Sequence, residues 1–254
     1  MIHIGKRSIS EFFQQLFTLN IITIFFRFFS VYESPIKAIF NELFSIGKYP
    51  ATIKIKNKLK IKLYSIADFS TLNLVFCRED YYKPNKITFV IDIGANIGIS
   101  CLYWLIDNPK CFIEAYEPST NNFKRLVKNL KRYKKNITLK KIGVSNKAKS
   151  EKLYLSKSGV NDSTQIINGA KIEKIKLIDI NTILKRALLK HDKIDILKID
   201  VEGHEVSILK SIKKKYFNKI KVINVEGVNY NNIIPKNYTF TFKGSASRFV
   251  NKNI

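Results

Sequence analysis

The sequence predicts an α/β protein in two parts. A helical segment and a lysine-rich β-hairpin occupy residues 1–86, and residues 87–254 form a doubly wound, mostly parallel sheet of the seven-stranded type. One observation behind this is that apolar runs end in acids and pass directly into helical patterns, as in FVIDIGANIGIS (89–100) and IDILKIDVEGHE (194–205). Such nearly continuous apolar runs suit strands buried on both faces of a parallel sheet. The other is the strict alternation of lysine with apolar residues from Ile53 to Tyr64, the pattern of a half-buried hairpin.

A chain of 254 residues accommodates one sizeable α/β domain with a subdomain, and an apolar fraction of 45% is ordinary for a packed protein. A formal net charge of +25 would recruit polyanions. Lysine is spread from end to end beside abundant isoleucine and asparagine, however, so the charge reads as a bias of the whole chain and weighs against a dedicated nucleic-acid surface. Cys77, Cys101 and Cys111 form no Cys-x-x-Cys pair and predict free thiols in a reducing, cytoplasmic compartment. Three histidines without a His/Cys/Asp cluster predict no metal site.

In chain order, Ser8 and Glu11 make a capping-box pair ahead of an apolar stretch, Phe12 to Phe29, with a polar stripe of Asn20, Thr23, Arg27 and Ser30. Gln14, Gln15, Thr18, Asn20, Thr23 and Arg27 interrupt every candidate membrane span, and no small-residue cleavage site marks a signal peptide. The helix is expected to pack on the main domain or in a homo-oligomer, with peripheral contact to an anionic membrane as the competing reading. Pro35 ends that stretch or starts the next helix, which covers Ile36 to Phe44 and is broken by Gly47 and Pro50. In the hairpin, an odd-length loop centred on Lys58 keeps Lys56 beside Lys60 and makes one face all lysine. That face is either solvated or a landing strip for an anionic acceptor or membrane.

Asp68 to Tyr82 leads through the Lys83-Pro84-Asn85 turn to a first strand, Phe89–Ile93, and a helix, Ile99–Ile106, stopped by Asp107, Asn108 and Pro109. After the second strand, Phe112–Tyr116, Ser119 caps a helix that gathers Phe123, Leu126, Val127, Leu130 and Tyr133 on one face. The third strand, Ile137–Val144, puts Ser145 and Asn146 at its carboxyl edge, and Lys152–Leu155 is a short extra strand. The polar segment Ser156–Gly169 connects elements or reaches over the pocket. A helix over Ile183–Leu189, a strand over Ile194–Ile199, a helix from His204 to about Lys215 and a fifth strand, Ile220–Val225, follow. Tyr238–Phe242 and Arg248–Val250 close the sheet as a hairpin around Lys243-Gly244.

Open α/β sheets hold ligands outside the carboxyl ends of their strands, which is where Asp92, Glu117, Asp200 and Glu226 fall. Gly94 and Gly98 permit a tight strand-to-helix turn and are expected to offer bare backbone amides to a ligand. A dinucleotide fingerprint would place glycines where Gly94, Asn96 and Ile99 stand, so two of three are missing. Acid, one residue, Gly, three residues, Gly is similar instead to the first motif of S-adenosylmethionine-dependent methyltransferases. Glu117, ending the next strand, is placed to hold ribose hydroxyls.

VIDIGANIGIS, AYEP, the strand leading to GVSN, the NDST loop and LKIDVEGHE, in this order and spacing, resemble the FkbM family of methyltransferases over roughly Asp68 to Glu226. The resemblance implies a class I, Rossmann-like sheet and S-adenosyl-L-methionine as cofactor. It implies Asp92, Gly94 and Gly98 on the methionine side, Ala95 and Asn96 among the cofactor-binding residues, Glu117 on the ribose, Ser145 and Asn146 near adenine, and Asp200 at the methyl end. It implies methylation of oxygen, commonly of sugar or polyketide hydroxyls. By the same resemblance an aspartate is often expected where Asn146 stands, and the elements after Glu226 are expected to be shorter than is usual in the family.

An alcohol needs a group to hold its proton as the oxygen attacks. Asp200 at the strand edge is the first candidate and His204 the second, because imidazole titrates near neutral pH; Glu202 completes the cluster, and Glu226 on the neighbouring strand is an outside candidate for the base. The cationic surface suggests an anionic or lipid-linked glycan acceptor. Two other functions stay open from the residues alone: an NAD-linked oxidoreductase on a similar sheet, and a basic nucleic-acid or membrane-surface module that kept the fold.

Overall fold

The computed structural model describes residues 3–4, 7–8, 21–55, 59–156, 159, 162–165, 168–227, 230 and 232–254. The chain forms two compact units, Met1–Glu79 and Asp80–Ile254.

In the first unit β1 (His3–Ile4) pairs with β2 (Arg7–Ser8), helices span Ile21–Val31 and Pro35–Phe44, and β3 (Ala51–Ile55) pairs antiparallel with β4 (Leu59–Leu63). Glu11 of the expected capping box, residues 9–20 of the expected first helix, and Lys56 and Lys58 of the hairpin lie outside the described residues. Among the described residues no helix is long and apolar enough to cross a membrane. Ile55 pairs with Leu59, so the loop is odd as expected but centred one position earlier, and Lys54 is the residue beside Lys60. Lys54, Lys60 and Lys62 are exposed while Ile55, Leu59, Ile61 and Leu63 are buried, so the described lysines of the row share one open face. A helix over Ile66–Phe76 occupies what the sequence reading treats as a connection. Its start is a capping box: Ser65 Oγ accepts the Asp68 N–H at 3.1 Å and the Asp68 carboxylate accepts the Ser65 N–H at 3.0 Å.

The second unit contains β5 (Phe89–Ile93), β6 (Phe112–Tyr116), β7 (Ile137–Lys140), β8 (Gly143–Ser145), β9 (Lys149–Leu155), β10 (Lys171–Asp179), β11 (Ile194–Ile199), β12 (Ile220–Glu226), β13 (Tyr238–Lys243) and β14 (Ala246–Asn251). Its main sheet runs β13-β14-β12-β11-β5-β6-β7, parallel from β12 to β7, with β14 antiparallel to both neighbours. The chain moves outward from β5 to β7, returns to the other side of β5 and moves outward again from β11. That reversal sets the carboxyl ends of β5 and β11 side by side, the place where such sheets hold ligands.

Register explains why these strands are apolar on both faces yet carry single polar residues. Ile91, Ile93, Leu197, Ile199, Ile223 and Val225 join one core with Ile183 and Leu184 of the helix Ile180–Leu188 and Ile208 and Leu209 of the helix Glu205–Ser211. On the opposite face, by alternation, Asp92, Lys198, Asn224 and Arg248 are successive register partners and make one polar row across four strands. The row fastens residues 80–82. Asn224 exchanges two hydrogen bonds with the Tyr82 backbone at 2.9 and 3.0 Å, and Arg248 Nε donates to the Asp80 carbonyl at 2.7 Å. This is why the second unit begins at Asp80 rather than at residue 87.

Three sequence expectations change here. The third strand is not continuous from Ile137 to Val144: β7 ends at Lys140 and β8 joins a separate sheet of order β8-β10-β9. Gly143 permits this, since a Cβ there would lie 2.4 Å from Leu177 Cδ2 on β10. β10 itself, KIEKIKLID, is a strand to which the sequence reading gives no element, although its alternation is visible. The expected helix from His204 to Lys215 is two pieces, Glu205–Ser211 and Lys214–Phe217. Asn181 interrupts it, donating to the Ser211 carbonyl and accepting the Lys213 N–H, both at 2.9 Å.

Candidate active site

The turn after β5 is built by close contacts more than by free amides. Gly94 has φ +76°, and a Cβ on it would sit 1.7 Å from the Asp200 carbonyl oxygen; at Gly98, φ +93°, one would sit 2.9 Å from Leu126 Cδ1. The amides expected to be bare are taken: those of Gly94 and Ala95 both donate to the Tyr116 carbonyl at 3.0 Å, and that of Asn96 donates to Glu117 Oε2 at 2.9 Å. Asn96 Oδ1 is buried with no hydrogen-bond partner, which leaves an acceptor beside Glu117 for a ligand.

Glu117 is buried, and its other oxygen accepts the Ser119 N–H at 2.8 Å. Burial pushes its carboxyl up to about 7, against the pull of the two backbone N–H groups. A carboxylate whose two oxygens each hold one backbone donor keeps further lone pairs for a diol.

Asp92, the last residue but one of β5, is fully buried. It accepts hydrogen bonds from Ser100 Oγ and from Cys101 Sγ, the latter at 3.1 Å, and it faces its register partner Lys198 at 3.2 Å. Lys198 also reaches Asp200 Oδ2 at 3.1 Å and the Gly94 carbonyl at 2.7 Å. The sequence reading passes over Lys198, yet a lysine inside the buried pattern IDILKID must find countercharges, and Asp200 lies two residues away. Tyr81 OH donates to Asp200 Oδ2 at 3.0 Å and is the other residue missed, carried by a segment far from any motif. Burial alone would raise Asp200; the Lys198 charge, with hydrogen bonds from Glu226, Lys198 and Tyr81, outweighs it and holds the carboxyl below the usual carboxylate range.

Glu202, φ +51°, and Glu226 stand on the same edge. Burial, then the charges of Asp200, Glu205 and Asp162, push Glu202 up to about 7. The Asp200 charge first, then burial, push Glu226 up to about 9. The NDST loop reaches over this edge: Ser163 Oγ donates to the Glu202 carbonyl at 3.2 Å, and Thr164 Oγ1 bonds His204 Nε2. His204 is thus engaged with the loop, 4.0 Å from Glu151, and is not in contact with Asp200 among the described interactions. Ser145 is buried on β8 and bonds Asn146 Oδ1 at 3.1 Å, while Asn146 is exposed; neither lies on the third strand of the main sheet, because β8 has left it.

Comparison with known proteins gives the family of the chain. The family model of the methyltransferase FkbM domain matches residues 92–236. The methyltransferase sdnD of Sordaria araneosa is 25% identical over 169 residues, 54% of this chain and 65% of that protein. The AMB antimetabolite synthetase AmbE of Pseudomonas aeruginosa is 25% identical over 190 residues, 60% of this chain and 9% of that protein. A crystal structure of an FkbM methyltransferase from Methylobacillus flagellatus KT has the same fold, with a TM-score of 0.50 at 14% identity, covering 91% of this chain and 58% of that one. The chain spans less than two thirds of the length of each of these. Strand order, the Asp92-to-Gly98 turn, the Glu117 edge and the family match converge: this chain belongs to the FkbM methyltransferase family.

Proposed function

We propose that this protein transfers a methyl group from S-adenosyl-L-methionine to a hydroxyl oxygen of a sugar, glycan or related small secondary metabolite. The observation that carries the reading is the meeting, on one sheet edge, of the Glu117 carboxylate beside the β5 turn and the acids Asp200, Glu202 and Glu226 at the next strand ends. The residues suit the cofactor: Glu117 for a ribose diol, Asn96 Oδ1 for a further polar contact, and Gly94, Ala95 and Gly98 as a close-packed wall; Ser145 and Asn146 are assigned to the adenine side. Bound there, the cofactor supplies an electrophilic methyl on a positively charged sulfur. Asp200, ionised and aimed by Lys198 and Tyr81, accepts the hydrogen bond of the incoming hydroxyl and takes its proton as the oxygen bonds the methyl carbon and the carbon–sulfur bond breaks, with S-adenosylhomocysteine leaving. Glu202, titrating near neutrality, passes that proton to solvent, and His204 holds the NDST loop over the edge. The antimetabolite synthetase among the relatives supports a secondary metabolite beside a glycan as acceptor.

Calorimetric titration with S-adenosylhomocysteine, NAD and a short nucleic acid tests the cofactor; binding of NAD without S-adenosylhomocysteine overturns the reading. Methyl transfer to a panel of glycans and small alcohols, with Asp200→Asn and His204→Ala beside the parent, tests the chemistry. Loss of rate with cofactor binding kept is the expected result, and parent-level turnover in both variants overturns it.

A further inference from the structure

Lys198 is 2% exposed and stands between two carboxylates, one from the neighbouring strand and one from its own strand end. Burying an ammonium costs several kcal/mol after relaxation unless it is paired, and a single carboxylate would neutralise it. Two carboxylates face it here, so the Asp92–Lys198–Asp200 group carries one excess negative charge. Asp92 is 0% exposed and turned toward Ser100 and Cys101, whereas the Asp200 side chain keeps 24% of its surface. The excess charge therefore reaches the ligand edge through Asp200. Lys198 and Tyr81 converge on the same oxygen, Oδ2, which fixes the plane of that carboxylate. The 2.7 Å bond to the Gly94 carbonyl ties the same ammonium to the turn that borders Glu117. Glu226 is hydrogen-bonded to Asp200, and Glu202 adds the remaining nearby charge.

We propose that Lys198 is the positioning residue of the acceptor end: by tying Asp200 to Asp92 and to the Gly94 carbonyl, it keeps the Asp200 carboxylate fixed at the strand edge. An incoming hydroxyl then meets a hydrogen-bond acceptor held in one place, Asp200, and is oriented by it. This rests on the methyl-transfer reading and on the contacts of Lys198; the opposite shifts of the two acids, Asp200 downward and Glu226 up to about 9, support it.

The test uses the full chain with Lys198→Met, and with Glu226→Gln to assign the upper step of the pair in a carboxyl-carbon NMR titration, run without ligand and with S-adenosylhomocysteine. In Lys198→Met, S-adenosylhomocysteine should still bind, the lower step of the Asp200–Glu226 pair should move up by about one pH unit or more, and kcat for the best alcohol of the panel should fall on the order of 100-fold with KM little changed. An unmoved lower step, or parent-level kcat, overturns the proposal. Should Lys198→Met not fold, Lys198→Met with Asp92→Asn removes both buried charges; recovery of the parent titration and turnover there would mean that Lys198 only neutralises Asp92, and the proposal falls. Failure of the parent to bind S-adenosylhomocysteine sinks the methyltransferase reading instead, while the ligand-free titration still decides what Lys198 holds.

Discussion

Glu117 holds the backbone of Asn96: one carboxylate oxygen accepts the Asn96 N–H at 2.9 Å, and the other accepts the Ser119 N–H at 2.8 Å. A single buried side chain so joins the turn after β5 to the start of the helix after β6, at the point assigned to a ribose.

Removing this carboxylate strands two backbone donors as well as the diol. Glu117→Ala should therefore weaken S-adenosylhomocysteine binding on the order of 100-fold, at about 1.5–3 kcal/mol for each hydrogen bond to a charged group. The ionised form is the better acceptor, and the group titrates at about 7, so parent affinity should rise between pH 6 and pH 8 and level off above. Glu117→Gln should bind weakly with no such rise. Calorimetry at several pH values checks both, and unchanged affinity in either variant counts against the ribose assignment.

Gly94 and Gly169 both have positive φ, +76° and +71°, but only Gly94 faces another backbone atom within contact range. Gly94→Ala pushes a Cβ onto the Asp200 carbonyl and should cost more than about 3 kcal/mol or prevent folding. Gly169→Ala should cost about 1–2 kcal/mol, the left-handed backbone alone. Denaturant unfolding of the two variants separates them; equal losses would mean that the β5 turn relaxes around the clash.

The three raised glutamates set a pH dependence of stability. Glu117 and Glu202 are raised to about 7 and Glu226 to about 9, from an ordinary value of 4.5, so the folded state holds their protons more tightly than the unfolded chain. Their contribution is complete below pH 4.5 and is lost as pH rises, through about 7 for the first two and about 9 for the third. Asp200 acts oppositely: its lowered carboxyl stabilises above its ordinary 3.8 and loses that effect in more acid solution. Thermal melts of ligand-free protein should show Glu226→Gln gaining on the parent between pH 7 and pH 9. A constant gap across that window would remove the assignment of the upper step to Glu226.

The lysine face of the hairpin should be nearly silent in folding. Lys54 lies 3.7 Å from Glu33 with both side chains exposed, and Lys60 and Lys62 are exposed as well. Changing all three to glutamine should alter the unfolding free energy by less than about 1 kcal/mol. A larger loss in chemical denaturation would show that the row does more than meet solvent.

Much of the second unit was legible because both its periods are local. Apolar runs ending in acids mark β5, β6, β11 and β12, and the glycine spacing marks the turn between Asp92 and Gly98. The break of β7 from β8 was not legible, because nothing in ITLKKIGVS announces that its last residues will pair with a strand more than thirty positions later. The same holds for the interrupted helix after His204, whose ladder is cut by Asn181 from another helix.

By itself, then, the sequence determined the α/β class, the strand that each acid ends and the residue types gathered at one edge, since these follow from side-chain period and turn chemistry. Tertiary structure alone decided what each acid became. Register set Lys198 beside Asp92, the Lys198 charge held the Asp200 carboxyl down, and the Asp200 charge pushed Glu226 up to about 9. Burial took the amides of Gly94, Ala95 and Asn96 for the fold itself. Charge and hydrogen bonding act over a few ångströms, and only the folded chain brings residues 81, 92, 198, 200 and 226 within that reach.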